Sequence, residues 1–126
     1  MKSHSRKKIL VIDDSETNLV LLKAVLEDAG YEVLLAGSSK DAYYYFDNDR
    51  PDLILLDLLM PQEDGFMFME KLKNGYTHLE VPVVVVTAYA NRENEEKAKG
   101  LGAQDVIEKP INIPEFLIKI DKAVAN

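Results

Sequence analysis

Five polar side chains, each placed just after a short apolar run, have types that could act together in one reaction. They are Asp13, Asp14, Asp57, Thr87 and Lys109 of the 126-residue sequence. If the three carboxylates lie in one crevice, each close pair at about 4 Å costs roughly 4 kcal/mol at an effective dielectric constant near 20. No fold requires that cost for stability, so either one carboxyl group is protonated or a cation binds there.

The charge of this set favours a divalent cation. Lys109 alone cannot neutralise three carboxylates, whereas a hard ion with oxygen ligands can, and a small acidic set that leaves room for water suits Mg2+ better than Ca2+. A carboxylate beside Mg2+, with an ammonium and a hydroxyl group in reach, can attack phosphorus in line and accept a phosphoryl group. The residue types therefore predict a phosphorylation switch rather than metabolite turnover.

The apolar runs predict the elements that bring these residues together. Runs of β-branched and Leu residues without polar alternation are typical of strands buried on both faces of a parallel sheet. The predicted strands are 7–12, 32–36, 53–56, 83–86 and 104–107. A helix is predicted after each strand, and the first has Ser15 as N-cap, apolar positions that include Val20 and Leu21, and Gly30 as C-cap.

Five strands alternating with five helices predict an α/β fold, in which one parallel sheet has helices on both faces. Ligands of such sheets bind outside the carboxyl ends of the strands. Each polar residue alone has an ordinary explanation, because an aspartate after a strand is more often a turn or a helix cap than a catalyst. Their common place at one edge of the sheet makes the functional interpretation stronger.

Composition narrows the classes of function. The chain is 47% apolar and 29% charged, which is typical of one globular domain, and its formal charge of −7 argues against direct nucleic-acid binding. It contains no Cys, which excludes thiol catalysis and disulfides. The apolar run after the basic N-terminus is too short for a signal peptide or a membrane span, so we expect no membrane association and a cytoplasmic location. We expect a tail over 1–6 and one domain over 7–125.

The order and spacing of these residues resemble the receiver domain of two-component response regulators, from about Lys7 to Ala125. The matching features are Val11–Asp14, Asp57 with Met60–Pro61 and Gly65, Val84–Ala88, Ala98 with Gly102–Ala103, and Lys109–Pro110. The resemblance implies a flavodoxin-like doubly wound sheet with strand order 2-1-3-4-5. It implies that a histidine kinase or a histidine phosphotransfer domain phosphorylates the protein, which then controls an output domain or partner and can form a homodimer.

The resemblance also implies a role for each residue of the set. Asp57 is the phosphoacceptor, and Thr87 and Lys109 contact the phosphoryl group. The implied Mg2+ ligands are Asp14 and Asp57 directly, Asp13 through water, and the backbone carbonyl group of Leu59. The Lys109–Pro110 peptide bond is often cis in this family.

One position departs from the family pattern, and two others bear on how long the phosphoryl group persists. Family members usually carry Tyr or Phe where this chain has Val106, and that ring turns inward when the threonine moves to the phosphoryl group. We expect output here to depend on Tyr89 or on dimerisation instead. In the family, the side chains at the positions of Leu59 and Tyr89 flank the path of an attacking water. An apolar residue facing a bulky aromatic one should hinder that water, which predicts a long-lived phosphoryl group.

Two other functions are compatible with the residues. One is a binding module that kept the fold but works without phosphorylation, which Val106 favours. The other is a phosphatase or phosphotransferase with Asp13 as nucleophile. Enzymes of that kind usually need a second Asp two residues later, where this chain has Ser15, and a cap or a longer chain to hold their substrate.

Overall fold

The computed structural model describes residues 6–58, 64–75 and 80–125. In these residues, strands and helices alternate along the chain. The strands are β1 (Lys8–Ile12), β2 (Glu32–Ala36), β3 (Leu53–Leu56), β4 (Val83–Thr87) and β5 (Ala103–Glu108). The helices are α1 (Glu16–Asp28), α2 (Ser39–Asn48), α3 (Gly65–Gly75), α4 (Arg92–Gly100) and α5 (Ile113–Ala125).

The strands form one parallel sheet in the order β2-β1-β3-β4-β5. This confirms the predicted fold class and strand order. Every residue of β3 and β4 is buried, because helices cover both faces of the sheet and leave no side for polar residues. The uninterrupted apolar runs of the sequence are the signature of these central strands.

Apolar side chains fill a layer on each face of the sheet. One layer joins the sheet to α1 and α5 and includes Leu26, Phe116 and Ile120. The other layer joins it to α2, α3 and α4 and includes Phe46 and Phe68. Both layers reach the carboxyl edge of the strands, so they hold the strand ends in a fixed arrangement.

Helix α1 begins and ends as predicted but does not bury all the residues that its pattern suggested. The Ser15 side chain accepts a hydrogen bond from the backbone N–H of Asn18, and Gly30 follows the helix with φ +98°. Val20 and Leu21 are 60% and 46% exposed, although their spacing placed them with the apolar positions. The helix packs on one layer of the core, where Leu22 and Leu26 are buried and Leu19 and Val25 are partly buried.

In the described residues, no helix is long and apolar enough to cross a membrane. Differences from the predicted bounds are confined to one or two residues at element ends, such as β5, which is predicted from Gln104 and begins at Ala103. None of these differences moves Asp13, Asp14, Asp57, Thr87 or Lys109 away from the carboxyl edge.

Candidate functional site

The predicted polar residues lie together at the carboxyl edge of the sheet. Backbone hydrogen bonds continue past the strand ends and fix their relative positions: the Asp13 N–H donates to Ala36, the Asp57 N–H to Ile12 and the Lys109 N–H to Thr87. Because each of these contacts joins neighbouring strands, residues that are far apart in sequence are held side by side.

The three aspartates form one acidic cluster. Carboxylate oxygens of Asp13, Asp14 and Asp57 lie within 4.8 Å of one another. Asp13 is 2% exposed and Asp57 is 9% exposed, whereas Asp14 is open to solvent. Two buried carboxylates this close to each other favour a cation nearby, which is one of the two alternatives that the sequence left open.

Lys109 supplies part of that charge. Its Nζ atom lies 2.8 Å from Asp13 Oδ2 and 3.4 Å from Asp57 Oδ2, and its side chain is mostly buried. One ammonium group therefore bridges two of the three carboxylates. The cluster still carries net negative charge after this bridge. The Lys109–Pro110 peptide bond is cis, as the resemblance implied.

The cluster suits Mg2+ in its ligand chemistry and its size. Mg2+ prefers oxygen ligands at about 2.1 Å, so opposite ligands of one ion lie about 4.2 Å apart. One carboxylate oxygen of each aspartate lies within 4.8 Å of the others, so the three residues are close enough to hold one ion directly or through water. Asp13, Asp14 and Asp57 therefore fit the ion as an acidic set, and the exposed side of Asp14 leaves room for water.

Asp13 is held by more partners than the sequence indicated. Its Oδ1 atom accepts a hydrogen bond from the Ser15 N–H at 2.9 Å, and its Oδ2 atom accepts one from Asn18 Nδ2 at 3.3 Å. Sequence reasoning identified Ser15 as a helix cap and missed Asn18. The signal was present, because side chains in the first turn of a helix lean toward its N-terminus, where Asp13 lies.

Thr87 is fully buried at the end of β4 and connects the site to the next loop. Its Oγ1 atom accepts a hydrogen bond from the Tyr89 N–H at 3.2 Å. The Tyr89 carbonyl group in turn accepts one from Asn94 Nδ2 at 2.8 Å, and Asn94 is in the first turn of α4. A chain of hydrogen bonds therefore joins Thr87 to α4.

Gly65 approaches the backbone directly after Asp57. Its N–H donates to the Leu58 carbonyl group at 2.8 Å. A Cβ atom added at Gly65 would lie 2.6 Å from Leu58 Cα and 2.9 Å from the backbone carbonyl oxygen of Asp57. In the sequence, Gly65 is only a feature that matches the family, without a structural reason for it. The structure shows that a side chain cannot fit there without moving Asp57 or its neighbour.

Some predicted positions lie outside the described residues. They are Leu59, the predicted carbonyl ligand, Met60 and Pro61 of the same loop, and the first five residues of the predicted tail. The roles assigned to them stay predictions.

The parallel fold and the acidic cluster at its carboxyl edge define a phosphoacceptor domain of signal transduction. The sequence matches the family described as "Response regulator receiver domain" over residues 9–121. The chain belongs to this family, and its class is a signalling phosphoacceptor rather than a classical enzyme. Membership implies a cognate histidine kinase.

Similar proteins support the same assignment. The chain is 32% identical over 111 residues to the polar-differentiation response regulator DivK of Brucella anthropi. The aligned residues cover 88% of this chain and 90% of the relative. A CheY-like receiver domain protein from Methanospirillum hungatei JF-1 is 32% identical, with a TM-score of 0.85 and coverage of 96% and 95% of the two chains. Chemotaxis protein CheY4 of Vibrio cholerae is 28% identical, with a TM-score of 0.87 and coverage of 94% and 99%.

Proposed function

We propose that Asp57 accepts a phosphoryl group from a phosphohistidine of a histidine kinase or a histidine phosphotransfer domain. The observation that carries this proposal is the Lys109 ammonium group, which bridges Asp57 and Asp13 within the acidic cluster. A cation at this place can neutralise the oxygens of a phosphoryl group on Asp57 without a large movement. We take the domain to span 7–125.

The proposed reaction is one displacement at phosphorus. A carboxylate oxygen of Asp57 forms the new O–P bond while the P–N bond of the phosphohistidine breaks, and the released imidazole nitrogen keeps the electron pair and takes up a proton. Lys109 neutralises phosphoryl oxygens, and the Thr87 hydroxyl group donates a hydrogen bond to one of them. Bound Mg2+ would supply further neutralisation of the oxygens and orient the incoming group.

The environments of the three aspartates support Asp57 as the nucleophile. Both oxygens of Asp13 accept hydrogen bonds from the protein, which lowers their nucleophilicity and suits a holding role. Asp14 is exposed and can reach a hydrated ion. Asp57 lies at the end of the central strand β3, next to both Lys109 and Asp13. We propose Asp14 and Asp57 as direct Mg2+ ligands and Asp13 as a ligand through water.

A phosphatase that uses Asp13 as nucleophile is poorly supported. The residue two positions later is Ser15, whose side chain caps α1 and whose N–H donates to Asp13 Oδ1. No carboxyl group stands there to act as an acid. The proposed domain would instead have only the phosphotransfer step and a slow hydrolysis of its own aspartyl phosphate.

The test is phosphorylation by a small donor. The full chain is incubated with phosphoramidate or acetyl phosphate and Mg2+, and its intact mass is measured. We expect a single addition of about 80 Da that requires Mg2+ and is lost in Asp57→Asn. Asp47→Asn, at an exposed carboxylate of α2, is the matched control and should keep the addition.

Each alternative gives a different result in this experiment. Retention of the addition in Asp57→Asn would point to Asp13 and contradict the proposal. No addition in the wild-type chain at any Mg2+ concentration would favour a module that works without phosphorylation.

A further inference from the structure

We propose that Asn18 is a positioning residue that holds the Asp13 carboxylate in place for cation binding, most of all when Lys109 turns toward a phosphoryl group. This inference rests on the proposed function of Asp57. The Asn18 Nδ2 atom donates to Asp13 Oδ2 at 3.3 Å, and Lys109 Nζ contacts the same oxygen at 2.8 Å. One oxygen of Asp13 therefore depends on a neutral donor and a charged donor together.

The surroundings of Asn18 support a role for its amide group in orienting the Asp13 carboxylate. Asn18 lines a cavity of about 350 Å³ between α1 and the loop that leads into α5. The walls near it are mainly apolar and include Leu21, Leu22 and Val86. Asn18 is half-buried, so solvent can reach part of its amide group, yet its Nδ2 donor goes to the buried Asp13 carboxylate.

The lone pairs of Asp13 are nearly all in use. A carboxylate offers about four lone-pair directions. The Ser15 N–H takes one on Oδ1, while Asn18 and Lys109 take two on Oδ2. Counting donors from the described residues, about one direction is left for a cation or for its water. The orientation of that last lone pair is set by the three donors, of which Asn18 is the one on the rigid first turn of α1.

Lys109 is a shared partner, so a new anion beside Asp57 competes with Asp13 for its ammonium group. Its Nζ atom also lies 3.4 Å from Asp57 Oδ2, where the proposed phosphoryl group would add negative charge. As Lys109 shifts toward that charge and its contact with Asp13 weakens, Asp13 Oδ2 keeps Asn18 as a side-chain donor. A neutral amide does not cancel the charge of Asp13, so it orients the carboxylate without weakening its attraction for a cation.

The test compares two substitutions in the same helical turn of the full chain. Asn18→Leu removes the donor and keeps a similar volume in an apolar wall, and Thr17→Leu adds the same side chain at an exposed neighbouring position. Isothermal titration with MgCl2 should show about fivefold weaker binding for Asn18→Leu, about 1 kcal/mol. Thr17→Leu should stay within about twofold of the wild-type chain.

A rate measurement separates positioning from general damage. With phosphoramidate as donor, Asn18→Leu should raise the Mg2+ concentration that gives half the maximal rate. Its maximal rate at saturating Mg2+ should stay within about twofold of wild type, because a displaced Asp13 is recovered when the ion is abundant. Far-UV circular dichroism in EDTA checks the fold, and if Asn18→Leu does not fold, Asn18→Ala serves in the same test.

The inference is overturned if Asn18→Leu binds Mg2+ as tightly as wild type, if Thr17→Leu weakens binding equally, or if saturating Mg2+ does not restore the rate. Failure of the proposed function looks different, because the wild-type chain would then take no phosphoryl group whatever the Mg2+ titrations show.

Discussion

Asp13 and Asp57 follow neighbouring strands and are both buried. Asp13 accepts hydrogen bonds from Ser15, Asn18 and Lys109, which fix both of its oxygens. Lys109 also lies beside Asp57 Oδ2, and Asp57 follows β3 at the edge where a donor can approach from outside the sheet. At the scale of single residues, the proposal therefore gives Asp13 a holding role and Asp57 the reacting role.

Gly65 gives a prediction about the position of Asp57. In Gly65→Ala the new Cβ atom would meet the Leu58 backbone at 2.6 Å, so the loop after β3 must shift. We expect a loss of about 2 kcal/mol in the free energy of unfolding and slower phosphorylation by phosphoramidate. Gly75→Ala, at the end of α3 with open space around it, is the matched control. Equal urea unfolding curves for the two variants would contradict the steric explanation.

The lifetime of the phosphoryl group gives a second prediction at this scale. Tyr89 is 57% exposed, and Leu59, which lies outside the described residues, is its proposed counterpart. Replacing Leu59 by Asn and Tyr89 by Glu opens a polar path for an attacking water. We expect faster loss of the phosphoryl group, measured by intact mass after donor removal. An unchanged or longer lifetime would show that these side chains do not shield the phosphorus atom.

At the scale of elements, β4 and α4 are joined by the hydrogen bonds through Thr87, Tyr89 and Asn94. If the Thr87 hydroxyl group turns to a phosphoryl group, it releases the Tyr89 N–H, and the loop can pull on Asn94. Val106 lies buried in the layer beneath α4 and has no ring to rotate. This hydrogen-bonded loop is therefore a connection from the site to α4 that does not depend on an aromatic ring at position 106.

The phosphoryl mimic beryllofluoride can test this connection by NMR. In the wild-type chain with Mg2+, we expect backbone amide shifts to change from Arg92 to Ala103. Asn94→Ala should reduce those changes while the shifts close to Asp57 persist, and Glu93→Ala, in the same turn, should not. If the amides of α4 and β5 do not respond in the wild-type chain, this face is not the output surface.

A second contact between elements predicts a pH dependence. Tyr31, just before β2, donates a hydrogen bond to Asp121 of α5. Burial, this hydrogen bond and the charge of Asp121 raise the pKa of Tyr31. As the pH rises, Tyr31 therefore loses its hydroxyl proton in the unfolded state before it does so in the folded state. The stability that this contact contributes is present in full below about pH 10 and falls as the pH rises above that value.

Tyr31→Phe removes the titrating group and should reduce the loss of stability at high pH. Urea unfolding at about pH 8 and about pH 10.5 measures the free energy of unfolding at each pH. Tyr44→Phe, at an exposed tyrosine of α2, should show the wild-type decline. If Tyr31→Phe loses as much stability as wild type between the two pH values, the contact with Asp121 does not control it.

For the whole molecule, the sequence predicted the architecture well because buried parallel strands have a simple pattern. The bounds of β2 and β3 are those predicted, and Asp57 follows the second of these strands as expected. The acidic cluster could be predicted because strand ends meet at one edge. Ser15 and Gly30 were identifiable because caps depend on local sequence.

Features that depend on contacts between distant segments could not be predicted in this way. The pattern of α1 did not show that Val20 and Leu21 stay exposed, since this depends on how wide a face the sheet offers. The close approach of Gly65 to Leu58 and the Asn18 bond to Asp13 depend on the folded positions of separate loops. Sequence therefore predicted which residues meet, and the structure shows how each is held.

The central claim is that Asp57 carries the phosphoryl group, and chemical trapping tests it most directly. The wild-type chain is phosphorylated with phosphoramidate and Mg2+ and reduced with borohydride, which converts an aspartyl phosphate to homoserine. Peptide mass spectrometry then locates the homoserine. We expect it at position 57 and at no other aspartate. Homoserine at position 13 or 14, or labelled protein with Asp57 unchanged, would contradict the account.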